Sequence, residues 1–198
     1  MKAVLISIQP QWCAKIASGE KTIEVRKTKP KIATPFKVYI YCTLPPREEL
    51  FGHGGIYEYA NELIRLQSGE VVYDYGMRLC CDPEGRPYTS DNFLCRKVIG
   101  EFICDRIGAI AYTMDGFADV VDCNTSCLSP KDFIEYGKGK LLYGWHISDL
   151  VIYDKPKALS EFSRHDSSYD NAFGWAFEDR KKRTPITRSP QSWCYVEV

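Results

Sequence analysis

Apolar and polar residues alternate in short runs along this chain. Most runs have the period of two expected of a strand with one buried face. Residues 2–8, Lys-Ala-Val-Leu-Ile-Ser-Ile, read as a buried first strand. Gln9-Pro10 then opens a helix, with proline at the first helical position, where a missing N–H breaks no bond. Trp12, Cys13, Ile16 and Ala17 make one apolar stripe at helical spacing, and Gly19 stands where a left-handed stop is wanted. The period of two returns over residues 22–26: Ile23 and Val25 point one way, and Thr22, Glu24 and Arg26 the other. Residues 27–35 are basic and hold proline and threonine, so they read as a loop. Residues 36–43 are apolar, β-branched and aromatic, the pattern of a central strand.

Pro45-Pro46 ends that strand, and residues 44–96 read as an excursion. Within it, residues 56–67 have helical periodicity, residues 71–79 suit one strand of a hairpin, and residues 82–87 are turn chemistry. Residues 97–106 resume the strand pattern, with another strand or two over 107–121. Ser129-Pro130-Lys131-Asp132 is a helix start: serine as cap, proline first, an acid third. Phe133, Ile134 and Tyr136 are expected to face inward, and Gly137 to end the helix. Residues 145–153 suit a strand that Pro156 ends, and Leu159 and Phe162 tuck into the core from a turn. Residues 163–189 look irregular, and 191–198 form a final strand. Many short strands, few short helices and no regular strand–helix alternation predict an α+β, mainly β fold. The expected form is a β-barrel flanked by short helices, one domain over residues 1–198 with a variable insertion at about 44–96.

The 198 residues suffice for one sizeable core. No run approaches the roughly 18 apolar residues of a membrane helix. The first residues carry no signal-peptide cleavage region, so a cytoplasmic protein without a membrane partner is expected. Nine cysteines are then expected as reduced thiols. Cys80 and Cys81 are adjacent, Cys123 and Cys127 are the one short pair, and His53, His146 and His165 are scattered. The two close ligand pairs of structural zinc are missing, and no metal is expected. Phe51-Gly-His-Gly-Gly lacks the Gly-Lys-Ser/Thr ending of a phosphate loop, and no cofactor is expected.

Charge changes the picture through its distribution. Basic and acidic residues balance at 26 each, yet residues 15–37 hold seven Lys/Arg against Glu20 and Glu24. Residues 180–188 hold five Lys/Arg and no acid. If the two segments met in space they would form one phosphate-binding face; alternatively each is a solvated loop. Arg180, Lys181, Lys182 and Arg183 follow Phe173, Trp175 and Phe177, and basic residues beside aromatics suit single-stranded RNA.

Several stretches resemble a known family. Ser7-Ile8-Gln9-Pro10-x-Trp12, followed by Ile16-x-x-Gly19-x-Lys21-Thr22-x-Glu24-x-Arg26, resembles the opening of the ASCH domain family, a branch of the PUA-like superfamily. Lys97-Val-Ile-Gly-Glu-Phe102, Tyr143-Gly-Trp-His-Ile-Ser-Asp-Leu150 and Pro190-Gln-Ser-Trp-Cys-Tyr195 are similar to pieces of ASCH proteins from bacteria and their phages. The resemblance covers roughly residues 1–43 and 97–198. It implies a PUA-like β-barrel with a cleft beside the first helix, and RNA or a modified nucleoside as partner. Some small ASCH proteins are amidohydrolases that remove the acetyl group from N4-acetylcytidine with a lysine, a threonine and a distant glutamate. The lysine corresponds to Lys21, Glu24 occupies the threonine position, and no residue here matches the distant glutamate. Other members are described as ribonucleases.

The residues themselves carry a parallel reading. A carboxylate beside Lys21 favours its charged form, so with Glu24 near, Lys21 is expected to stay protonated and to hold phosphate or a carbonyl oxygen. Glu24 is then the candidate base for activating water, or an acceptor for the exocyclic amine of cytosine or guanine. Arg26 offers a planar fork for phosphate or for Glu24 itself. The catalytic candidates are therefore Lys21 and Glu24. Ser7, Gln9 and Ser192 stand near the corner as hydrogen-bonding groups, Lys27 adds charge, and Trp12, Trp145 and Trp193 are candidate stacking platforms or core residues. The competing readings are an internal ion-pair cluster for the charged trio and, for the whole chain, a protein-interaction adaptor. Cys13, beside Trp12 and Ala14, reads as a packed thiol. His146 shares a strand with Trp145, so one of them faces in and the other out.

Overall fold

β1 (Lys2–Ile8) is the hub of the architecture. It pairs parallel with β3 (Phe36–Cys42) and antiparallel with β10 (Trp193–Glu197). β3 pairs with β6 (Lys97–Thr113), β6 with β8 (Leu142–Ala158), and β8 with β2 (Ile23–Arg26), all antiparallel. β9 (Ser163–Arg164) extends β10, and β7 (Gly116–Asp119) forms a hairpin with β6. The sheet order is therefore β2-β8-β6-β3-β1-β10-β9, with β7 to the side. This computed structural model describes residues 2–44, 64–72, 94–113, 116–119, 123–164 and 184–197.

Both faces of β1 are covered, which explains its nearly continuous apolar sequence. Val4, Ile6 and Ile8 face a core that includes Val38, Ile40, Phe102 and Trp145, capped by Cys13, Ala14 and Ile16 of α1 (Pro10–Ala17). Ala3 and Leu5 face the opposite cluster with Tyr39, Tyr41, Tyr153, Phe162 and Ile186. A third cluster joins Ile23 and Val25 of β2 to Phe133 of α2 (Pro130–Gly137). α2 starts on a complete capping box: Asp132 N–H donates to Ser129 Oγ, and Ser129 N–H donates to the Asp132 carboxylate at 2.9 Å.

β6 and β8 each run for 17 residues, where the sequence predicted shorter strands. They bend instead of breaking, through register shifts along their ladder. One shift spans Pro156: Val98 faces Lys157 while Gly100 faces Ile152. A proline in such an irregularity deprives the ladder of little, so Pro156 does not end the strand. Asp149, with φ 46°, lies where Glu101 faces Val151 and Ile103 faces Ser148. Gly100 lies against β8 so closely that a Cβ would stand 2.4 Å from the Val151 carbonyl oxygen.

Among the described residues no backbone pairing joins β2, at one end of the ladder, to β10 or β9 at the other, so the structure describes an open mixed sheet and not a closed barrel. Side chains and a loop bridge the gap. Arg26 Nη2 donates to the Ser7 carbonyl at 2.6 Å, Trp193 Nε1 donates to Thr28 Oγ1 at 3.0 Å, and the Lys31 N–H donates to the Tyr195 hydroxyl at 2.7 Å. The rings of Trp145 and Trp193 lie 5.9 Å apart across the same seam.

Two local expectations are corrected. Residues 64–65 are not helical: β4 (Ile64–Arg65) pairs with β5 (Val71–Val72) around a turn in which Gly69 takes φ 90°. The apolar Ile64 faces the main core, and the Ser68-Gly69 turn reverses the chain. Ile134 is exposed, because Phe133 and Tyr136 already fill the side of α2 that meets β2. The rest of the expected helix, the rest of the expected strand over 71–79, and the turn at 82–87 lie outside the described residues. No helix among the described residues is long and apolar enough to cross a membrane.

Candidate functional site

The corner between α1 and β2 is held from both sides. Gly19 takes φ 83°, which lets the chain leave α1 sharply. The Lys21 N–H donates to the Lys15 carbonyl at 2.8 Å, and the Thr22 N–H to the Thr125 carbonyl at 2.9 Å. The alternation read from the sequence then sorts β2. Ile23 and Val25 enter the apolar cluster under α2, with Val25 also reaching the edge of the space beyond, while Glu24 and Arg26 turn to the other side.

That other side is a cavity of about 820 Å³. Ser7 and Gln9 come from the end of β1, Trp12 from α1, and Lys21, Glu24, Arg26 and Lys27 from the corner and β2. Ser192, with Pro190 and Gln191, closes the seam side, where the Ser7 N–H donates to the Ser192 carbonyl at 2.9 Å and Ser7 Oγ to the Pro190 carbonyl at 2.7 Å. Eight of the residues nominated from the sequence therefore line one space.

The charged trio forms its buried part. Lys21, Glu24 and Arg26 are 2%, 5% and 9% exposed. Glu24 Oε1 accepts from Arg26 Nη2 at 2.9 Å, and Glu24 Oε2 lies 3.5 Å from Lys21 Nζ. Lys21 Nζ also donates to the Ser126 carbonyl at 2.5 Å and lies 5.2 Å from the centre of the Trp12 ring. The trio is thus an internal ion-pair cluster and a cavity lining at once. Two cations against one carboxylate leave a local excess of positive charge. Arg26 Nε is buried and has no hydrogen-bond partner among the described residues.

Burial decides the titration of Lys21. Loss of solvent pulls its amine below the ordinary lysine value, and the Glu24 carboxylate opposes this without cancelling it. The carboxylate effect expected from the sequence is present, and burial adds a larger one of opposite sign. The Tyr136 hydroxyl is pushed up by burial, with the Arg26 guanidinium pulling against it.

Trp145 and Trp193 do not line the cavity. Trp145 is fully buried, packs edge-on against Phe36 at 5.9 Å, and is a core residue. Its indole N–H has no hydrogen-bond partner among the described residues. Trp193 is half-buried and serves the seam through Thr28 and Trp145. His146, next to Trp145, turns outward, and its Nδ1 lies 2.6 Å from Asp105. The Cys13 thiol is buried, and desolvation pushes its pKa up, as befits a packed side chain. Arg180, Lys181, Lys182 and Arg183 lie outside the described residues, and so do Phe173, Trp175 and Phe177.

Sequence reasoning missed the far wall. Asp132, Glu135 and Tyr136 of α2 line the cavity with Leu128, and Thr28 and Thr43 complete it. Their spacing (132, 135, 136) places three side chains on one helix face, a signal that was present. Nothing in the sequence said that this face, more than 100 residues from Lys21, meets the corner.

No family model matches the chain, and no curated protein sequence matches it. Among solved structures, the crystal structure of ASCH from Zymomonas mobilis is similar, with 17% identity over 98% of this chain and 87% of that one and a TM-score of 0.48. Two point mutants of the same Zymomonas mobilis protein match at 16% identity and a TM-score of 0.48. They cover 100% and 98% of this chain and 91% and 88% of their own.

Proposed function

We propose that this chain is an RNA- or nucleoside-binding protein of PUA-like, ASCH type, and that the cavity beside α1 receives a base. The observation that carries this is the meeting of a buried Lys21–Glu24–Arg26 cluster with the rings of Trp12 and Tyr136 in one space of about 820 Å³. A space of that size suits a nucleoside. Glu24 accepts from an exocyclic amine, Arg26 and Lys21 donate to a ring carbonyl, and an aromatic ring supplies the stacking face. Ser7, Gln9 and Ser192 complete the polar edge. Calorimetric titration with the four nucleosides and with N4-acetylcytidine tests the reading: saturable binding of at least one is expected, and the absence of any heat of binding at millimolar ligand refutes it.

A second reading is favoured by geometry: Glu24 Oε2 lies 3.5 Å from Lys21 Nζ, and both side chains line the cavity. In amide hydrolysis of an acylated nucleoside, Glu24 takes a proton from water as the water oxygen attacks the acyl carbon. Lys21 steadies the developing oxyanion, and the proton passes to the departing amine nitrogen as the C–N bond breaks. Chromatography after incubation with N4-acetylcytidine decides it: cytidine and acetate are expected products, and unchanged substrate at high protein concentration leaves binding as the whole function.

A further inference from the structure

The rim of the cavity carries both signs of charge. Asp132 and Glu135 stand on it, both exposed on α2. The Asp132 carboxylate is held in place by the Ser129 N–H and hydroxyl. Beside them the chain leaves the cavity through Lys27 and Thr28 and continues into Lys29 and Lys31, an exposed basic stretch that crosses the seam. Two of its lysines are set against aromatic rings. Lys27 Nζ is 4.6 Å from the centre of the Tyr136 ring, and Lys29 Nζ is 5.5 Å from that of Tyr143. The backbone N–H of Lys31 is anchored to the Tyr195 hydroxyl. Lys2, on neighbouring β1, lies 4.3 Å from the centre of the Tyr195 ring. None of Lys27, Lys29 and Lys31 forms an ion pair among the described residues.

This arrangement bears on what form of ligand fits. A ring face attracts an ammonium group and leaves its remaining N–H donors free for an anion. Lys27 and Lys29 are thus held in place with their charge unspent, and Lys31 is placed beside them by its backbone. A phosphodiester laid along the 27–31 loop meets three cations, and their attraction favours an exit along that loop.

We infer that the natural ligand is a single-stranded nucleic acid and not a free nucleoside: one base enters the cavity, and the adjoining phosphates run out over Lys27, Lys29 and Lys31. This rests on the cavity being a base site, as proposed above. The loop then supplies affinity without regard to sequence, while Glu24 and Arg26 supply the choice of base.

The test compares a ten-nucleotide single-stranded RNA of mixed sequence with the four free nucleosides on the full chain, at several salt concentrations. The wild-type protein is expected to bind the strand at least tenfold more tightly than any nucleoside at low salt. For three phosphate contacts on a single strand, the logarithm of the binding constant should fall with the logarithm of salt with a slope near ~−2. The double variant Lys29→Ala/Lys31→Ala is expected to weaken strand binding about tenfold and to reduce the slope by ~1.4. The double variant Lys140→Ala/Lys155→Ala, which removes equal charge from exposed sites elsewhere, controls for net charge. Equal losses in the two double variants overturn the loop path, as does a strand no tighter than the nucleosides. In either case nucleoside binding by the wild-type protein keeps the cavity reading intact. Failure to bind either probe overturns both.

Discussion

Arg26 on β2 donates to the carbonyl of Ser7 on β1 at 2.6 Å, joining two strands that are four places apart in the ladder. The same guanidinium holds Glu24 at 2.9 Å. One side chain therefore fixes both the seam of the sheet and the carboxylate of the candidate site.

Replacing Arg26 with alanine strands the buried Glu24 carboxylate with Lys21 alone and opens the seam. Breaking a buried, hydrogen-bonded charge pair costs about 3–5 kcal/mol. Arg26→Lys keeps a cation without the fork and should recover part of the loss. Urea denaturation of the two variants measures both effects. A loss under about 1 kcal/mol for Arg26→Ala would mean that the seam is not held by this contact.

Lys21 gives a pH signature. Its folded pKa lies below the ordinary value of 10.5, with burial as the largest cause. Between the folded value and 10.5 the unfolded chain binds more protons than the folded one, so this group makes stability rise with pH across that window. Below the folded value the cost of burying the charge is present in full; it is relieved as pH climbs through that value. The stability difference, wild type minus Lys21→Met, should accordingly increase from pH 7 towards pH 10 in paired denaturation curves. A difference that stays flat or shrinks contradicts the assignment.

Gly100 has no room for a side chain, because a Cβ would meet the Val151 carbonyl oxygen at 2.4 Å and that oxygen belongs to the backbone of β8. Gly100→Ala should force β6 from β8 at a cost of about 1–3 kcal/mol. Gly137→Ala provides the contrast, since a Cβ there makes an ordinary 3.4 Å contact with Leu142. Thermal melts should separate the two, with Gly137→Ala close to wild type.

Trp12 is the aromatic of α1 that faces the cavity, and it is only half-buried. A stacked base is worth about 1–3 kcal/mol by alanine substitution, or ~5–150-fold in affinity. Trp12→Ala should show that loss in a nucleoside titration, and Trp12→Phe should regain most of it. Equal affinity in all three proteins would assign stacking to Tyr136 alone.

How much of this could be read from the chain depends on how local the cause is. The α1–β2 corner was legible because proline, the helical stripe and Gly19 act over a few residues, and because alternation alone puts Glu24 and Arg26 opposite Ile23 and Val25. The capping box of α2 was legible for the same reason. The bends in β6 and β8 were not, since whether Pro156 ends a strand or sits in a bulge depends on the partner strand. The depth of Lys21 was also hidden. It follows from the meeting of α1, β2 and the Thr125-Ser126 turn, and that depth makes burial the largest influence on its pKa. Trp145 and Trp193 look alike in sequence, yet one fills the core and the other closes the seam.

Photocrosslinking tests the location of the ligand most directly. A short single-stranded RNA carrying 4-thiouridine would be irradiated with the full chain, and the linked peptide mapped by mass spectrometry. Attachment at Trp12 or Tyr136, competed away by excess unlabelled RNA, is the expected result. Competable attachment confined to residues far from the cavity would contradict the assignment of the Lys21–Glu24–Arg26 cavity as the base site.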